Sequence, residues 1–260
     1  MCYKKDISDA SVLRFGVPSK GRLYDSTIEA FEGAGFPVIR GQNDRSYVGY
    51  LKGFSGVELV FLRATEIVQR LDSGEIHLGI TGKDLVKEQQ WDWCEHVELL
   101  LPMNFGHAKV VVAVPKFWFD ISCMADLDDF AADLRVQRDV PMRVATKYSR
   151  LTRKFFRKVG LINYALVNTQ GSTECLPAMG ACEIIVDIVS SGRTLRENRL
   201  KILDDGEVLE SEAYFCASVH SRARWTDENL SILRNILAFF DSIGGADEIF
   251  QRFEKVYSVR

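Results

Sequence analysis

Between Glu183 and Asn198 the chain reads E-I-I-V-D-I-V-S-S-G-R-T-L-R-E-N. Ser190, Ser191 and Thr194 offer hydroxyl donors, Gly192 lets a backbone approach a ligand closely, and Arg193 stands between them. The apolar, β-branched half, Glu183 to Val189, reads as a buried parallel strand that ends near Ser190. Helix formers follow from Leu195 to Asn198, so unpaired N–H groups and the positive end of a helix dipole converge on the loop. Such a spot suits a phosphate. Asp187, just inside the loop, can accept from sugar hydroxyls, so one segment could hold both ends of a ribose 5-phosphate. Taken alone, S-S-G-R-T fits an ordinary helix cap after a core strand equally well.

A second strand–loop–helix carries cations. Val12 to Pro18 runs into Ser19-Lys20-Gly21-Arg22, and Leu23, Thr27, Ile28, Phe31 and Ala34 then keep helical spacing until Gly35. Cations are disfavoured at a helix N-terminus by its dipole, so Lys20 and Arg22 imply an anion that neutralises them; solvated helix-start charge is the plainer alternative.

These loops need a sheet to position them. Ser46 to Leu51 and Val57 to Leu62 read as strands, the second ending at Arg63; a helix over Ala64 to Leu71 and a buried strand over Ile76 to Thr81 follow. In a parallel α/β sheet the strand ends meet at one carboxyl edge, which predicts a shared rim for Lys20, Arg22, Arg63 and Thr81. Further on, Met142 to Thr146 ends at Lys147, the one residue of that basic stretch placed at a strand end. Phe117 to Asp139 reads as an acidic, weakly periodic helical region and a mobile excursion, and Glu210 to Val219 as a last strand returning to the first lobe. Leu230, Leu233, Ile236, Leu237, Phe240 and Ile243 form a helical stripe, and Ile249, Phe250, Phe253 and Tyr257 a second. Two such helices must dock, on the main body or on another subunit.

The totals narrow the class. With 260 residues and 47% hydrophobic content the chain can build two α/β lobes. The expected division is residues 1–103 with 206–224 as one lobe, 104–205 as the other, and 225–260 as a C-terminal helix pair. A net charge of -3 offers no general field for nucleic acid or anionic lipid. The six cysteines are dispersed without a C-x-x-C pair, which argues against zinc or a disulfide framework. No apolar run approaches the ~20 residues needed to span a bilayer, and the N-terminus lacks the apolar core of a signal peptide, so a cytoplasmic protein is expected.

V-P-S-K-G-R-L (17–23), L-R-A-T-E (62–66), L-G-I-T-G-K-D-L (78–85), V-A-T-K-Y (144–148), G-S-T-E (171–174) and the 183–198 segment, in this order, resemble the ATP phosphoribosyltransferase family. Cys182 and Glu183 stand where that family usually has Ala and Asp. The resemblance implies a fold of two lobes like type II periplasmic binding proteins, with the active site in a central cleft, and a C-terminal helical extension. It implies the first reaction of histidine biosynthesis, joining adenine N1 of ATP to C1 of 5-phosphoribosyl 1-pyrophosphate. It further implies the short form: a cytoplasmic catalytic subunit, homodimeric, partnered by a histidyl-tRNA-synthetase-like regulatory subunit. On this reading Ser190, Ser191, Gly192, Arg193 and Thr194 take the 5-phosphate, and Asp187 and Glu174 the ribose hydroxyls. Lys20, Arg22 and Arg45 are the catalytic cations on the pyrophosphate and ATP phosphates, Arg22 or Arg45 reaching across the dimer interface. Gly21, Leu23, Arg63, Thr81, Gly82 and Lys147 line the nucleotide site. Mg2+ arrives on the pyrophosphate and ATP, with no protein metal site. Three rivals remain: a non-catalytic two-lobed binding module, a catalytically silent relative kept for its interactions, and a type I phosphoribosyltransferase. The last uses a pair of adjacent acids before its loop, whereas Asp187 stands alone.

Overall fold

The computed structural model describes residues 12–41, 47–53, 56–89, 93–169, 171–219, 227–240 and 250–251. In chain order its elements are β1 (Leu13–Pro18), α1 (Arg22–Gly33), β2 (Val38–Arg40), β3 (Val48–Leu51), β4 (Val57–Leu62), α2 (Ala64–Asp72), β5 (Leu78–Gly82), α3 (Lys83–Gln89), α4 (Trp93–His96) and β6 (Val97–Pro102). There follow β7 (Ala108–Pro115), α5 (Met124–Arg138), β8 (Met142–Thr146), α6 (Ser149–Val159), β9 (Tyr164–Asn168), a 3-10 turn (Thr173–Cys175), β10 (Ile184–Val189), α7 (Arg193–Glu197), β11 (Leu200–Ser211), β12 (Ala213–Ser218) and α8 (Asp227–Phe240).

The chain forms two compact units, Met1–Gly106 with Glu212–Arg260, and His107–Ser211. The crossings therefore lie at 106/107 and 211/212, where the sequence pointed to 103/104 and 205/206. The second shift has a clear cause: residues 200–211 form one long strand, β11, paired with β7 as far as Ser211↔Ala108. The single strand expected over 210–219 is thus the end of β11 plus β12, two strands in different sheets.

The sheet of unit 1 has the order β2-β3-β4-β1-β5-β12-β6. Strand β1 runs parallel to β4 on one side and β5 on the other, while β12 is antiparallel to β5. Phe15 meets Phe31 of α1 and Phe215 of β12 edge-on, with centroids 5.3 and 5.2 Å apart, a favourable arrangement of ring quadrupoles. Ile232, Leu233, Ile236 and Leu237 of α8 are buried in that same cluster. Exposing them would cost about 1.5–3 kcal/mol per side chain, which settles the choice for this helix: it docks on unit 1. On the sheet's other face Ile67, Val68 and Leu71 of α2 pack with Ile76, Val86 and Cys216.

Unit 2 has the order β11-β7-β10-β8-β9, with β10, β8 and β9 parallel and β7 antiparallel to β10. The helical region expected in the acidic stretch is α5, which buries Met124, Leu127 and Ala131. It closes at Asp139, which takes φ 54°, ψ 29°. Those buried positions fall at i, i+3 and i+7 beneath a surface of aspartates, which masks their periodicity in the sequence.

Candidate active site

Because β8, β9 and β10 are parallel, their carboxyl ends arrive together at one edge of unit 2. Lys147, the turn holding Glu174, and the Ser190 loop leave the sheet there. Thr169 Oγ1 and Thr173 Oγ1 lie 2.9 Å apart, tying the end of β9 to the 3-10 turn that carries Glu174. Glu174, Asp187, Ser190, Ser191, Gly192, Arg193 and Thr194 line one cavity of about 70 Å³. A water needs about 10–15 Å³ of such space, so the cavity has room for a small polyatomic group.

The loop's shape depends on Gly192, at φ 68°, ψ 6°, a left-handed conformation costly for other residues. Arg196 donates from Nη1 to the Ser191 carbonyl at 3.2 Å and from its backbone N–H to the Gly192 carbonyl at 3.1 Å. The hydroxyl-bearing Ser190, Ser191 and Thr194 stay exposed. Helix α7 has only 5 residues, too few aligned peptide dipoles for a strong field at its N-terminus.

Asp187 is buried, its side chain 8% exposed, and accepts the Ile188 N–H at 2.7 Å. Lys147 Nζ lies 3.1 Å from Asp187 Oδ1 and over the Tyr148 ring at 5.3 Å. Lys147, expected at the nucleotide site, thus neighbours an acid expected at the ribose. As the residue after β8, it is delivered beside the acid of β10 on unit 2. Its ammonium offsets the carboxylate's charge. At the amino end of the strands, opposite the loop, Glu183 receives Arg143 Nη2 at 2.6 Å and the Arg143 backbone N–H at 2.6 Å, cross-tying β10 and β8. Burial opposes the charge on Glu183, but the bonds from Arg143 prevail and hold its carboxyl below the usual range. Cys182 is buried in the adjoining core, its thiol pushed up to about 11 by burial. The described cysteines 123, 175, 182 and 216 are all free thiols.

On unit 1 the parallel strands β4, β1 and β5 likewise share a carboxyl edge. Lys20 is exposed there, before Gly21 at φ 80°, ψ −174°, and α1 starts at Arg22, whose side chain lies outside the described set. Arg45 also lies outside the described residues. Arg63 is exposed and its backbone N–H is capped by Glu66 Oε2 at 3.0 Å.

Three residues expected at the nucleotide site make contacts within the scaffold. Thr81 is fully buried, and its hydroxyl donates to the Ala64 carbonyl at 2.9 Å, pinning α2 to β5. Leu23 packs on the unit 1 core, where a Cβ on Gly106 would run into it. Gly82 is buried, and a Cβ there would collide with the Asp84 carboxylate. The sequence reading also passed over Arg40, at the end of the short strand β2. Its guanidinium sits 4.0 Å from the Phe61 ring centroid and 4.9 Å from that of Tyr24. Nothing in the order of residues signals that placement, since β2 has only 3 residues and no periodicity.

Among the described residues no group of three or more His, Cys, Asp or Glu could hold a metal ion, and no helix is long and apolar enough to cross a membrane.

Two mixed α/β sheets, each with parallel strands opening onto loops, define the two-lobed class of the periplasmic binding proteins. Solved structures agree on the fold. One from Thermotoga maritima, described as an ATP phosphoribosyl transferase HisG:HisZ complex, superposes with a TM-score of 0.66 at 21% identity, covering 88% of this chain and 99% of its own. The substrate-binding protein of an amino acid ABC transporter superposes at 0.51, with 13% identity over 95% of this chain and 99% of its own. The sequence goes further than fold. The profile of the family HisG: ATP phosphoribosyltransferase matches residues 63–238. An ATP phosphoribosyltransferase of Chelativorans sp. (strain BNC1) is 50% identical over 209 residues, 80% of this chain and 90% of its own. One of Sinorhizobium fredii is 44% identical over 86% of this chain and 99% of its own. The chain belongs to the ATP phosphoribosyltransferase family, the enzymes of the first step of histidine biosynthesis.

Proposed function

We propose that unit 2 holds the phosphoribosyl substrate and unit 1 the polyphosphates of the reaction. The observation that carries this is the single cavity shared by Glu174, Asp187 and the loop Ser190–Thr194, with Lys147 paired to Asp187. In this reading the loop amides and the hydroxyls of Ser190, Ser191 and Thr194 bind the 5-phosphate, with Arg193 beside them. Asp187 and Glu174 accept from the ribose hydroxyls, and Lys147 keeps Asp187 in place between turnovers. Lys20, Arg22 and Arg45 stabilise the departing pyrophosphate and the ATP phosphates, with Gly21 and Arg63 at the same edge. Leu23, Thr81 and Gly82 support that edge from behind.

Adenine N1 carries a free lone pair at neutral pH, so attack on C1 of 5-phosphoribosyl 1-pyrophosphate needs no general base. The N1–C1 bond forms as the C1–O bond breaks, and pyrophosphate leaves with the bonding pair. Catalysis then rests on alignment and on charge placed where the leaving group develops. Mg2+ would enter with the substrates and would supply charge neutralisation to their phosphates. A homodimer in the cytoplasm, in which Arg22 or Arg45 reaches across the interface, completes this reading. The short form with a histidyl-tRNA-synthetase-like regulatory subunit fits it too, supported by the HisG:HisZ complex of the Thermotoga relative.

The test is calorimetric titration of each substrate with Mg2+ present. Asp187→Asn is expected to weaken 5-phosphoribosyl 1-pyrophosphate about tenfold or more, the worth of hydrogen bonds to a charged group, and to spare ATP. Unchanged affinity for the phosphoribosyl substrate would overturn the assignment of the cavity.

A further inference from the structure

Arg40 ends an edge strand, yet its side chain reaches past β4 to the turn that follows β1. Its guanidinium faces the rings of Phe61 on β4 and Tyr24 on α1, at 4.0 and 4.9 Å, and its Nη2–H points to the Ser19 carbonyl at 3.4 Å. From the other side Ser19 donates its N–H to the Leu62 carbonyl at 2.7 Å, and Tyr24 donates to the Gly21 carbonyl at 2.9 Å. The turn Ser19-Lys20-Gly21 is thereby fixed at three points, one of them a half-buried cation. An apolar side chain would fill the gap between two rings without losing hydration; a guanidinium there gains only if its charge and its donor fork are used. The Nη2 donor of that fork is directed at the turn.

We propose that Arg40 is a positioning residue for the reaction: it clamps the β1–α1 turn so that Lys20 and the first amides of α1 meet a polyphosphate in one fixed geometry. The inference rests on the reading of this turn as the polyphosphate site. The aromatic clamp holds the guanidinium plane, the carbonyl bond holds Ser19, and the positive charge raises the potential at the turn before any anion arrives. Lysine would keep the charge but lose the planar stack and the fork.

The experiment follows pyrophosphate release at limiting and saturating ATP for Arg40→Met, Arg40→Lys, Lys20→Met and the double variant Arg40→Met/Lys20→Met. Thermal melting confirms that each is folded at the assay temperature. Arg40→Met is expected to lower kcat/KM for ATP roughly 10- to 100-fold, the scale of a small displacement in a positioned group, and Arg40→Lys to recover little of it. The double variant should fall no more than about threefold below Lys20→Met, since groups acting as one unit do not lose activity multiplicatively. Wild-type kinetics in Arg40→Met, or losses that multiply in the double variant, would overturn the proposal. Wild-type kinetics in Lys20→Met would instead remove the turn from the polyphosphate site and take the inference with it. Should Arg40→Met fail to fold, Arg40→Lys, which keeps length and charge, carries the same comparison against Lys20→Met.

Discussion

Replacing Gly192 tests the phosphate loop most directly. At φ 68° a side chain is strained whatever the space around it. The space itself is adequate: an added Cβ would lie 3.1 Å from Arg196 Nη1, the far end of a flexible side chain, and 3.9 Å from Val189 Cγ1. The cost is therefore mainly conformational, about 1–2 kcal/mol for an L residue held left-handed. If the phosphate is bound only by the loop in this conformation, Gly192→Ala weakens 5-phosphoribosyl 1-pyrophosphate by roughly 5- to 30-fold, at tenfold per 1.4 kcal/mol. Gly192→Val, β-branched, weakens it further. ATP affinity stays unchanged. Gly160 supplies the control, with φ 86° and open space around it. It closes α6 at the opposite end of the unit 2 sheet, so Gly160→Ala should lower stability by a similar amount and leave both affinities alone. Calorimetric titration of each substrate against the three variants decides the matter. Equal loss of ATP and phosphoribosyl binding in Gly192→Ala, or an equal effect of Gly160→Ala on the phosphoribosyl substrate, would refute the reasoning.

Two further outcomes follow from the scaffold. Thr81→Val removes a buried hydroxyl and leaves the Ala64 carbonyl without that donor, so chemical denaturation should show a loss of about 1–3 kcal/mol, while KM for ATP stays at the wild-type value. A raised KM in a folded variant would return Thr81 to the ligand-binding set. The imidazole of His77 is held down from 6.5 to about 4, by burial first and then by the charge of Arg14. The unfolded chain therefore takes up a proton below 6.5 that the folded chain refuses until about 4, and stability present above 6.5 is lost as the pH falls through that window. The loss is on the order of 3 kcal/mol. In His77→Asn, whose amide oxygen can still accept the Arg14 N–H, the melting temperature should vary less between those pH values; an unchanged slope would assign acid sensitivity to other groups.

The linear order of residues determined the candidate loops and the fold class, because the types that bind a phosphate are the types that start helices after strands. Ser190 to Thr194, Asp187 and the cations of Lys20 and Arg22 are legible as chemistry wherever a strand gives way to small and polar residues. Six motifs in a fixed order then carry the family, since their joint order is far rarer than any one of them. What the order could not determine is partnership across the sheet. Lys147 and Asp187 are 40 positions apart, and only the parallel pairing of β8 with β10 makes them an ion pair. Thr81 looks like a polar residue at a strand end, but whether its hydroxyl faces a ligand or the Ala64 carbonyl depends on where α2 packs. Arg40 lies on a three-residue strand with no pattern to read, and its place between two rings exists only once β4, β1 and α1 are assembled. Local composition fixes which groups can bind or donate; strand pairing and helix packing decide which of them are already occupied by the protein itself.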